Sequence, residues 1–280
     1  MSSACPDINN ILSLKGDPIF YQSLPVLSNE EIAPNNFILE VESLKMSKNS
    51  KAGQFAMIKP QSGSTLLARP FSYFKREGST LYFLYKIYGK GSRELSELKK
   101  GEVLDIWGPL GNGFRETKAS EWVFVAGGIG IAPFIFLAQQ APRNIKMTVL
   151  FGIRTKDQAI LEKDFRELGC DVIFVSEDGS IGKKGLVTSQ LENLLKEKMS
   201  SKVGCEVFTC GPRPMEAAVA RIAIENKIPC QIAYEEYMGC GLGTCMGCVV
   251  KCRMNDDWVF MRVCREGPVF MADQIIWEKD

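Results

Sequence analysis

The chain of 280 residues contains no histidine. This absence excludes the Ser-His-Asp and Cys-His nucleophiles, because each of them needs an imidazole base. It also excludes zinc sites with imidazole ligands, iron sites with a 2-His-1-carboxylate triad, and Rieske clusters. Acid or base chemistry in this chain would have to use Glu, Asp, Lys, Tyr or Cys side chains.

An excess of charge of either sign is also missing. Lys and Arg total 34 and Asp and Glu total 33, so the formal net charge is +1. A nucleic-acid partner is disfavoured, because there is no basic excess to neutralise phosphates and release counterions. Residues 1–10 have neither the basic nor the apolar segment of a secretory signal peptide. We therefore expect a cytoplasmic protein, in which clustered cysteines are metal ligands or redox groups.

One uncharged run, residues 122–142, has about the length needed to span a bilayer. Three glycines between 127 and 130, together with Pro133, interrupt its middle, and these residues disfavour a helix interior. A buried strand, a glycine turn and a helix that starts near Pro133 explain the run better. We predict no membrane-spanning segment.

After an N-terminal extension over residues 1–16, the next hundred residues contain short runs rich in aromatic and β-branched side chains. The runs cover residues 37–42, 54–58, 81–87 and 103–106. Gly and Pro clusters separate them, which is typical of a small antiparallel barrel or sandwich. A short helix is predicted over 93–98, with Ser92 as its N-cap.

From about residue 120 strands alternate with helices, which predicts a parallel, doubly wound sheet. The predicted strands cover 122–126, 147–151, 171–175 and 206–209, and the predicted helices cover 133–140, 160–168, 187–198 and 214–225. Glycine and cysteine dominate from 239 to 252, and a strand is expected at 258–263. The predicted architecture is an antiparallel β-barrel domain over 17–117, an α/β domain over 118–232 and a small cysteine module over 233–280.

Five of the ten cysteines lie between Cys240 and Cys264. Cys240, Cys245 and Cys248 form C-x4-C-x2-C, and fifteen residues separate Cys248 from Cys264. This is the spacing of a plant-type [2Fe–2S] loop with a distant fourth ligand. The alternative is a structural zinc site that uses Cys252, because C-x2-C is common to both metals. The glycine-rich spacing favours the iron–sulfur cluster. The remaining cysteines, Cys5, Cys170, Cys205, Cys210 and Cys230, lie outside this module.

Two segments of the barrel region have the chemistry of a flavin-nucleotide site. The first is Arg69, Pro70, Phe71 and Ser72. An arginine suits a pyrophosphate, and a serine hydroxyl can reach a flavin ring nitrogen. In the second, Gly89 and Gly91 precede the predicted helix, whose free N–H groups suit a diphosphate. A glycine-rich turn at 108–114 closes the region. Each segment alone could be an ordinary turn, so only the combination indicates a flavin.

Two glycine segments follow predicted strands of the α/β domain. Gly127, Gly128 and Gly130 lead into the helix at Pro133, where glycines allow close backbone approach and the helix end favours phosphate. A strand–helix turn of any α/β protein is the alternative explanation. The second segment is Cys210, Gly211 and Pro212. Carboxyl ends of parallel strands bind ligands, so Cys210 either faces a nicotinamide or is a small buried residue.

The choice between NAD and NADP is less clear from the sequence. Glu177 and Asp178 follow a third strand, where acidic groups accept ribose hydroxyls and repel a 2′-phosphate. Arg154 and Lys156 follow the second strand and favour the opposite preference. The acidic pair favours NAD.

The flavin and nicotinamide motifs, in this order, resemble those of the ferredoxin–NADP reductase superfamily. Residues 234–248 and 263–270 look like the electron-transfer subunits of NAD-dependent dihydroorotate dehydrogenase B. The resemblance covers about residues 20–275. The long N-terminal extension and Cys252 are departures from the family pattern.

The resemblance implies FAD on the barrel, NAD(H) on the α/β layer and a [2Fe–2S] cluster on the tail. The implied FAD contacts are Arg69, Pro70, Phe71, Ser72, Leu84, Tyr85, Lys86, Gly91 and Ser92. The expected NAD(H) contacts are Gly127, Gly128, Gly130, Cys210, Gly211 and Pro212. The implied cluster ligands are Cys240, Cys245, Cys248 and Cys264.

The resemblance also implies a partner and a direction of electron flow. Electrons would pass from the FMN of a catalytic subunit, in a heterotetramer of two plus two, through the cluster and FAD to NAD+ in pyrimidine (UMP) biosynthesis. Cofactors carry this chemistry, so no catalytic side chain is expected. The alternatives are a small subunit of a sulfide dehydrogenase or transhydrogenase, and a zinc-containing binding module without catalysis.

Overall fold

A computed structural model describes residues 18–200 and 204–277, apart from the side chains of 198–200. The predicted N-terminal extension and Cys5 lie outside the described residues. The described strands are β1 Phe20–Ala33, β2 Asn36–Glu42, β3 Phe55–Pro60, β4 Arg69–Ser72, β5 Lys75–Glu77, β6 Thr80–Lys86, β7 Val103–Leu110, β8 Glu121–Gly127, β9 Lys146–Ile153, β10 Cys170–Ser176, β11 Lys183–Lys184, β12 Cys205–Cys210, β13 Cys230–Ala233, β14 Val249–Met254, β15 Asp257–Arg262 and β16 Val269–Met271. The α-helices are α1 Leu44–Asn49, α2 Lys90–Ser96, α3 Ala132–Gln139, α4 Glu162–Glu167, α5 Val187–Ser200 and α6 Arg213–Glu225, and short 3-10 turns cover Gly128–Ile131 and Lys156–Gln158.

The first sheet is an antiparallel barrel with the strand order β4-β3-β7-β1-β2-β6-β5. Its two edge strands, β4 and β5, are separated along the chain only by Tyr73 and Phe74. Because two residues cannot bridge an open seven-stranded sheet, the edges must lie close together and the sheet curls round on itself. Both linking aromatic side chains are buried in the interior of the barrel. The predicted barrel is confirmed.

The prediction that Ser92 caps a helix at residue 93 is wrong. Helix α2 begins at Lys90 with Gly89 as its N-cap, so Ser92 is the third helical residue. The Ser92 hydroxyl accepts the backbone N–H groups of Tyr88 (2.9 Å) and Gly89 (3.2 Å). It thus satisfies donors before the helix, as the N3 side chain of a capping box does. Serine has the same capping chemistry at both positions, which explains the error.

The second sheet has the order β11-β10-β9-β8-β12-β13-β16, and all of its strands are parallel except β16. The chain moves outward from β8 through β9 and β10, then crosses back to β12 on the other side of β8. The doubly wound prediction is therefore confirmed, and the switch point lies between β8 and β12. Ligands bind at the carboxyl ends of strands at such a point. Three strands, β11, β13 and β16, were not predicted, because they have only two, four and three residues.

The segment that connects the two sheets is hydrogen-bonded to both of them. The backbone N–H of Phe114 donates to the Ala52 carbonyl of the barrel at 2.8 Å. The Gln231 side chain of β13 pairs with both backbone groups of Arg115, at 2.7 and 3.0 Å. These bonds set how the sheets face each other. None of the helices within residues 18–200 and 204–277 combines the length and the apolar character needed to span a membrane.

Candidate functional site

A cavity of about 710 Å³ lies between the barrel and the α/β layer. Strands β4 and β6, the start of α2, the glycine turn after β8 and the segment 234–238 line it. All nine predicted flavin contacts are in its lining: Arg69, Pro70, Phe71, Ser72, Leu84, Tyr85, Lys86, Gly91 and Ser92. Its volume lies within the range of small-molecule and cofactor pockets.

Arg69 is positioned in this cavity by two carbonyl groups and a glycine. Its Nη1 donates to the carbonyl oxygens of Leu67 (2.7 Å) and Ala68 (3.3 Å). Its guanidinium lies against the Cα of Gly91, so a Cβ there would come within 2.7 Å of Nε and Nη2. A larger residue at position 91 would therefore require the guanidinium to move from this place.

A second cavity, of about 750 Å³, lies at the carboxyl ends of β8, β9, β10 and β12. Five predicted nicotinamide contacts line it: Gly127, Gly128, Gly130, Gly211 and Pro212. The two glycine turns are packed together, because a Cβ on Gly130 would overlap the Cys210 carbonyl oxygen and come within 2.7 Å of the Gly211 Cα. The Gly211 N–H is held by a Glu216 carboxylate oxygen at 3.1 Å.

The acidic and basic groups after β9 and β10 have different positions. Glu177 and Arg154 both line the second cavity. The Asp178 carboxylate instead accepts the N–H (2.9 Å) and the hydroxyl (2.6 Å) of Ser180. Of the two predicted acids, Glu177 is therefore the one available to a ligand.

The two cavities meet along a shared wall. Lys86, Tyr88, Ile129, Arg213 and Glu235 line both of them. Ligands in the two cavities would therefore lie side by side, which is the arrangement that direct transfer between them requires.

Glu235 is a buried carboxyl in this shared wall. Burial raises its pKa above that of an ordinary carboxyl, although a hydrogen bond from Cys210 has the opposite effect. The Cys210 Sγ is 3.8 Å from the Glu235 Oε1. Burial thus disfavours the charged form of this carboxyl at the place where the two cavities meet.

Cys210 is fully buried at the end of β12, behind Glu235. Burial, and then the nearby Glu235 and Glu216 carboxyls, raise the pKa of its thiol well above the ordinary value. Among the described residues, Glu235 is in the wall of both cavities and Cys210 is in neither. Cys210 therefore contacts the shared wall from behind.

The four predicted cluster cysteines lie together in two contacting pairs. The thiols of Cys240 and Cys245 form one pair, and those of Cys248 and Cys264 form the other. Cys240 is also close enough to Cys264 to raise the pKa of its thiol. Within the described part of the chain, no three Cys, Asp or Glu side chains converge tightly enough to hold a single metal ion.

The backbone of the cysteine loop (residues 239–248) is arranged to stabilise sulfur anions. Burial alone would raise the pKa of Cys240, but N–H groups of Cys245, Leu242 and Thr244 lower it to about 6. The Leu242 N–H is 3.3 Å from the Cys240 Sγ. The Cys264 N–H is 3.4 Å from the Cys248 Sγ. Thiolates with such donors are suitable metal ligands.

The cysteine loop rests on the barrel. The Trp107 Nε1 donates to the Cys240 carbonyl at 3.4 Å. Gly241, with φ of +70°, packs so closely on Met57 that a Cβ would come within 2.5 Å of its Cγ. The loop begins directly after Met238, which lines the first cavity. The cysteines are thus beside the predicted flavin site, and none of the four lines the second cavity.

Cys252, the extra cysteine, lies in strand β14 and is fully buried in an apolar cluster. Burial raises the pKa of its thiol to about 11, as it also raises that of Cys264. Cys170 and Cys230 are likewise buried, as expected for small apolar residues.

Several site residues were not predicted from the sequence. The shared-wall residues Tyr88, Arg213 and Glu235 are the most important of them. Glu235 follows the unpredicted strand β13, so nothing placed it at a strand end. The signal that was available is the pair of acids after Tyr234, next to the cysteine loop.

Comparison with known proteins identifies the family. A model described as the iron–sulfur cluster binding domain of dihydroorotate dehydrogenase B matches residues 235–276. A model described as an oxidoreductase NAD-binding domain matches residues 124–221. A dihydroorotate dehydrogenase B (NAD(+)) electron transfer subunit from Caldanaerobacter subterraneus subsp. tengcongensis is 39% identical over 252 residues, covering 90% of this chain and 97% of the relative. The chain belongs to this family of electron transfer subunits.

Further comparisons agree with this membership. The corresponding subunit from Desulforamulus reducens is 34% identical, over 90% of this chain and 97% of the relative. The structure of an NADH-dependent reduced ferredoxin-NADP oxidoreductase superposes with a TM-score of 0.78 and 26% identity, covering 91% of this chain and 90% of that one. A ferredoxin NADP+ reductase from Neisseria gonorrhoeae, at 16% identity and a TM-score of 0.62, covers 73% of this chain and 91% of its own, and shares the fold.

The predicted family and fold class are therefore confirmed, and the chain is an NAD-linked oxidoreductase subunit. The matches favour dihydroorotate dehydrogenase B over a sulfide dehydrogenase or transhydrogenase. They also favour an iron–sulfur module over a zinc-binding one. An electron transfer subunit implies a separate catalytic subunit as partner.

Proposed function

We propose that this chain conducts electrons from the FMN of a catalytic subunit to NAD+ during dihydroorotate oxidation in pyrimidine biosynthesis. The complex would be a cytoplasmic heterotetramer with two copies of each subunit. When bound, the [2Fe–2S] cluster supplies one-electron transfer, and FAD joins one-electron to two-electron chemistry.

The linear order of three sites carries this proposal. The cysteine loop starts directly after Met238, which lines the first cavity, and the first cavity shares a wall with the second. A relay requires this order, with the flavin between the iron–sulfur centre and the nicotinamide. The protein positions and insulates the groups, so the absence of histidine is no obstacle.

The first cavity would hold FAD. Arg69 presents its guanidinium beside Gly91, where it suits a diphosphate, while Ser72 and Lys86 provide hydrogen-bond donors. Phe71 and Tyr85 lie with their ring centroids 5.3 Å apart and provide an aromatic wall. Barrel residues 17–117 would form the FAD domain.

The second cavity would hold NAD(H). The glycine turns after β8 and β12 allow the dinucleotide to approach the backbone at the switch point. Residues 118–232 would form the NAD domain, with β16 added from the following segment. Ile129 and Glu235, in the shared wall, would border the place where flavin and nicotinamide meet.

The cysteine module over 233–280 would bind the [2Fe–2S] cluster through Cys240, Cys245, Cys248 and Cys264. The observed pairing supports two irons, because each iron of such a cluster takes two protein thiolates. Four cysteines also match the donor set of plant-type clusters. Cys252 remains outside this ligand set.

The outer face of the cysteine loop would meet the catalytic subunit. Residues 244–247 are exposed, together with the side chain of Leu242, whereas Cys248 and Cys264 are buried beneath them. Exposed apolar side chains beside a redox centre suit a partner surface, because electron transfer requires a short distance. Met246, at 51% exposure, lies at the tip.

Co-purification with the candidate FMN subunit, followed by an assay of NAD+ reduction by dihydroorotate, tests the proposal. The complex is expected to be active, and this chain alone should oxidise NADH with an artificial acceptor but not act on dihydroorotate. A colourless chain that contains zinc and no flavin would contradict the relay.

Coenzyme choice should depend on Glu177. Replacing it with serine is expected to raise the ratio of kcat/KM for NADPH to that for NADH by about 10–100-fold, because a carboxylate facing a 2′-phosphate is removed. Steady-state kinetics with an artificial acceptor measure this ratio. Asp178→Asn is the matched control, since Asp178 is occupied by Ser180. A shift in the control but not in Glu177→Ser would disprove the assignment.

A further inference from the structure

Glu94 of helix α2 holds the loop that precedes Arg69. One of its carboxylate oxygens accepts the N–H (3.1 Å) and the hydroxyl (2.6 Å) of Ser64. The other accepts the N–H (3.2 Å) and the hydroxyl (2.7 Å) of Thr65. A single side chain thus fixes two consecutive residues of an exposed loop through four hydrogen bonds.

The same loop continues directly to the arginine of the first cavity. The carbonyl oxygens of Leu67 and Ala68 accept hydrogen bonds from the Arg69 Nη1, so the loop determines the position of that nitrogen. Gly91, on the same helix as Glu94, packs its Cα against the guanidinium near Nε and Nη2, a contact that uses none of their hydrogen-bond donors. Because Gly91 and Glu94 are three residues apart, they lie on one face of the helix. Helix α2 therefore holds Arg69 directly at Gly91 and indirectly through Glu94.

This arrangement leaves one edge of the guanidinium for a ligand. Both Nη1 hydrogens are used by the two carbonyls, while the Nε and Nη2 donors have no hydrogen-bond partner among the described residues. This edge presents two parallel N–H groups, the fork that binds phosphate oxygens in a bidentate manner.

We propose that Glu94 is a positioning residue for the diphosphate of FAD, acting through residues 64–68 to aim the free edge of Arg69 into the cavity. The inference rests on the proposed FAD site. It adds to that site a residue that is not in the cavity lining.

The charge of Glu94 is maintained at all working pH values. Hydrogen bonds from Ser64 and Thr65 lower the pKa of its carboxyl to about 2. Acidification within the stable range of the protein will therefore not open the loop, and substitution is the appropriate test.

A double-mutant cycle on the full-length chain tests the inference. Glu94→Gln is expected to weaken FAD binding about tenfold, as for the loss of a charge-assisted network, and Arg69→Ala by about tenfold or more. Because Glu94 acts through Arg69, adding Glu94→Gln to Arg69→Ala should change the FAD dissociation constant by less than about twofold. Titration of the flavin-stripped chain with FAD, and with riboflavin, measures these constants. Riboflavin, which has no phosphate, should bind the wild type and Glu94→Gln equally.

Glu97→Gln, on the same helix, is the matched control, because the Glu97 side chain makes no hydrogen bond or ion pair to the described residues; it should bind FAD as the wild type does. Equal weakening by Glu94→Gln in the presence and absence of Arg69 would overturn the inference and indicate a general loop effect. An unchanged FAD constant in Glu94→Gln would also overturn it. If Arg69→Ala itself bound FAD normally, the proposed FAD site would fail instead.

Discussion

Replacing Cys248 with serine is expected to remove the iron–sulfur absorption and nearly all bound iron, while the chain still binds FAD and oxidises NADH. Thiolates are the ligands of such clusters, and a serine hydroxyl remains protonated under the same conditions. Cys248 is buried against Cys264, so no solvent ligand can readily take its place.

The flavin and nicotinamide sites should survive this change. None of the four cluster cysteines is among the residues that line either cavity. In complex with the catalytic subunit, the variant should reduce NAD+ with dihydroorotate only at background rate, because the connection between the flavins is lost. Iron analysis, the visible spectrum and the two activity assays together measure the effect.

Cys252→Ala is the control for this experiment. Its thiol is buried in the apolar cluster of the same module, at a position outside the proposed ligand set. The control is expected to keep its cluster and to lose only packing. Loss of the cluster in Cys252→Ala with retention in Cys248→Ser would show that the ligand assignment is wrong.

Gly130→Ala should cause the largest effect in the nicotinamide site. The new Cβ would overlap the Cys210 carbonyl oxygen and press on the Gly211 Cα, and both contacts are with backbone atoms that no side-chain rotation relieves. Overpacking of this kind lowers the free energy of unfolding by roughly 1–3 kcal/mol. Separation of the two glycine turns should also raise the KM for NADH roughly 10–100-fold, because small misplacements at a binding site are costly.

Thermal denaturation and NADH kinetics with an artificial acceptor measure both effects. Gly128→Ala in the same turn is the control, because its Cβ would meet no atom within 4 Å. Its φ of +53° makes alanine unfavourable there by about 1–2 kcal/mol. Because Gly128 does not line the first cavity, the FAD content of this variant should remain normal. An unchanged free energy of unfolding together with an unchanged KM for NADH in Gly130→Ala would contradict the close packing of the turns.

The sequence was sufficient for the features that depend on local pattern. The alternation of short strands indicated the barrel, and the change to strand–helix alternation indicated the doubly wound sheet. Cys240, Cys245 and Cys248 lie within nine residues, so their spacing already indicated a shared centre. The motifs that line the two cavities were recognisable because each requires particular residues: an arginine for phosphate, and glycines where backbones meet.

Local sequence pattern did not predict the role of a polar residue that can serve at more than one position of a helix, nor a strand of very few residues. Ser92 has capping chemistry at either end of the first helical turn, and only the backbone path shows that it serves at N3. Strand β13 has four residues, too few for an alternating pattern, and Glu235 follows it. For that reason Glu235 had no predicted location.

Composition and motif spacing by themselves determined that this protein is a histidine-free, cysteine-rich chain, and they predicted a barrel, a doubly wound layer and a metal-binding tail. Its oxidoreductase function followed from the family resemblance. Spacing carries that information because metal ligation and close backbone contact each restrict residue type and separation. The tertiary structure alone decided that the cysteine loop and the second cavity both adjoin the first cavity, that Glu177 rather than Asp178 lines the second cavity, and that Glu94 holds the loop before Arg69. These facts depend on contacts between residues distant in sequence, and no local pattern encodes such contacts.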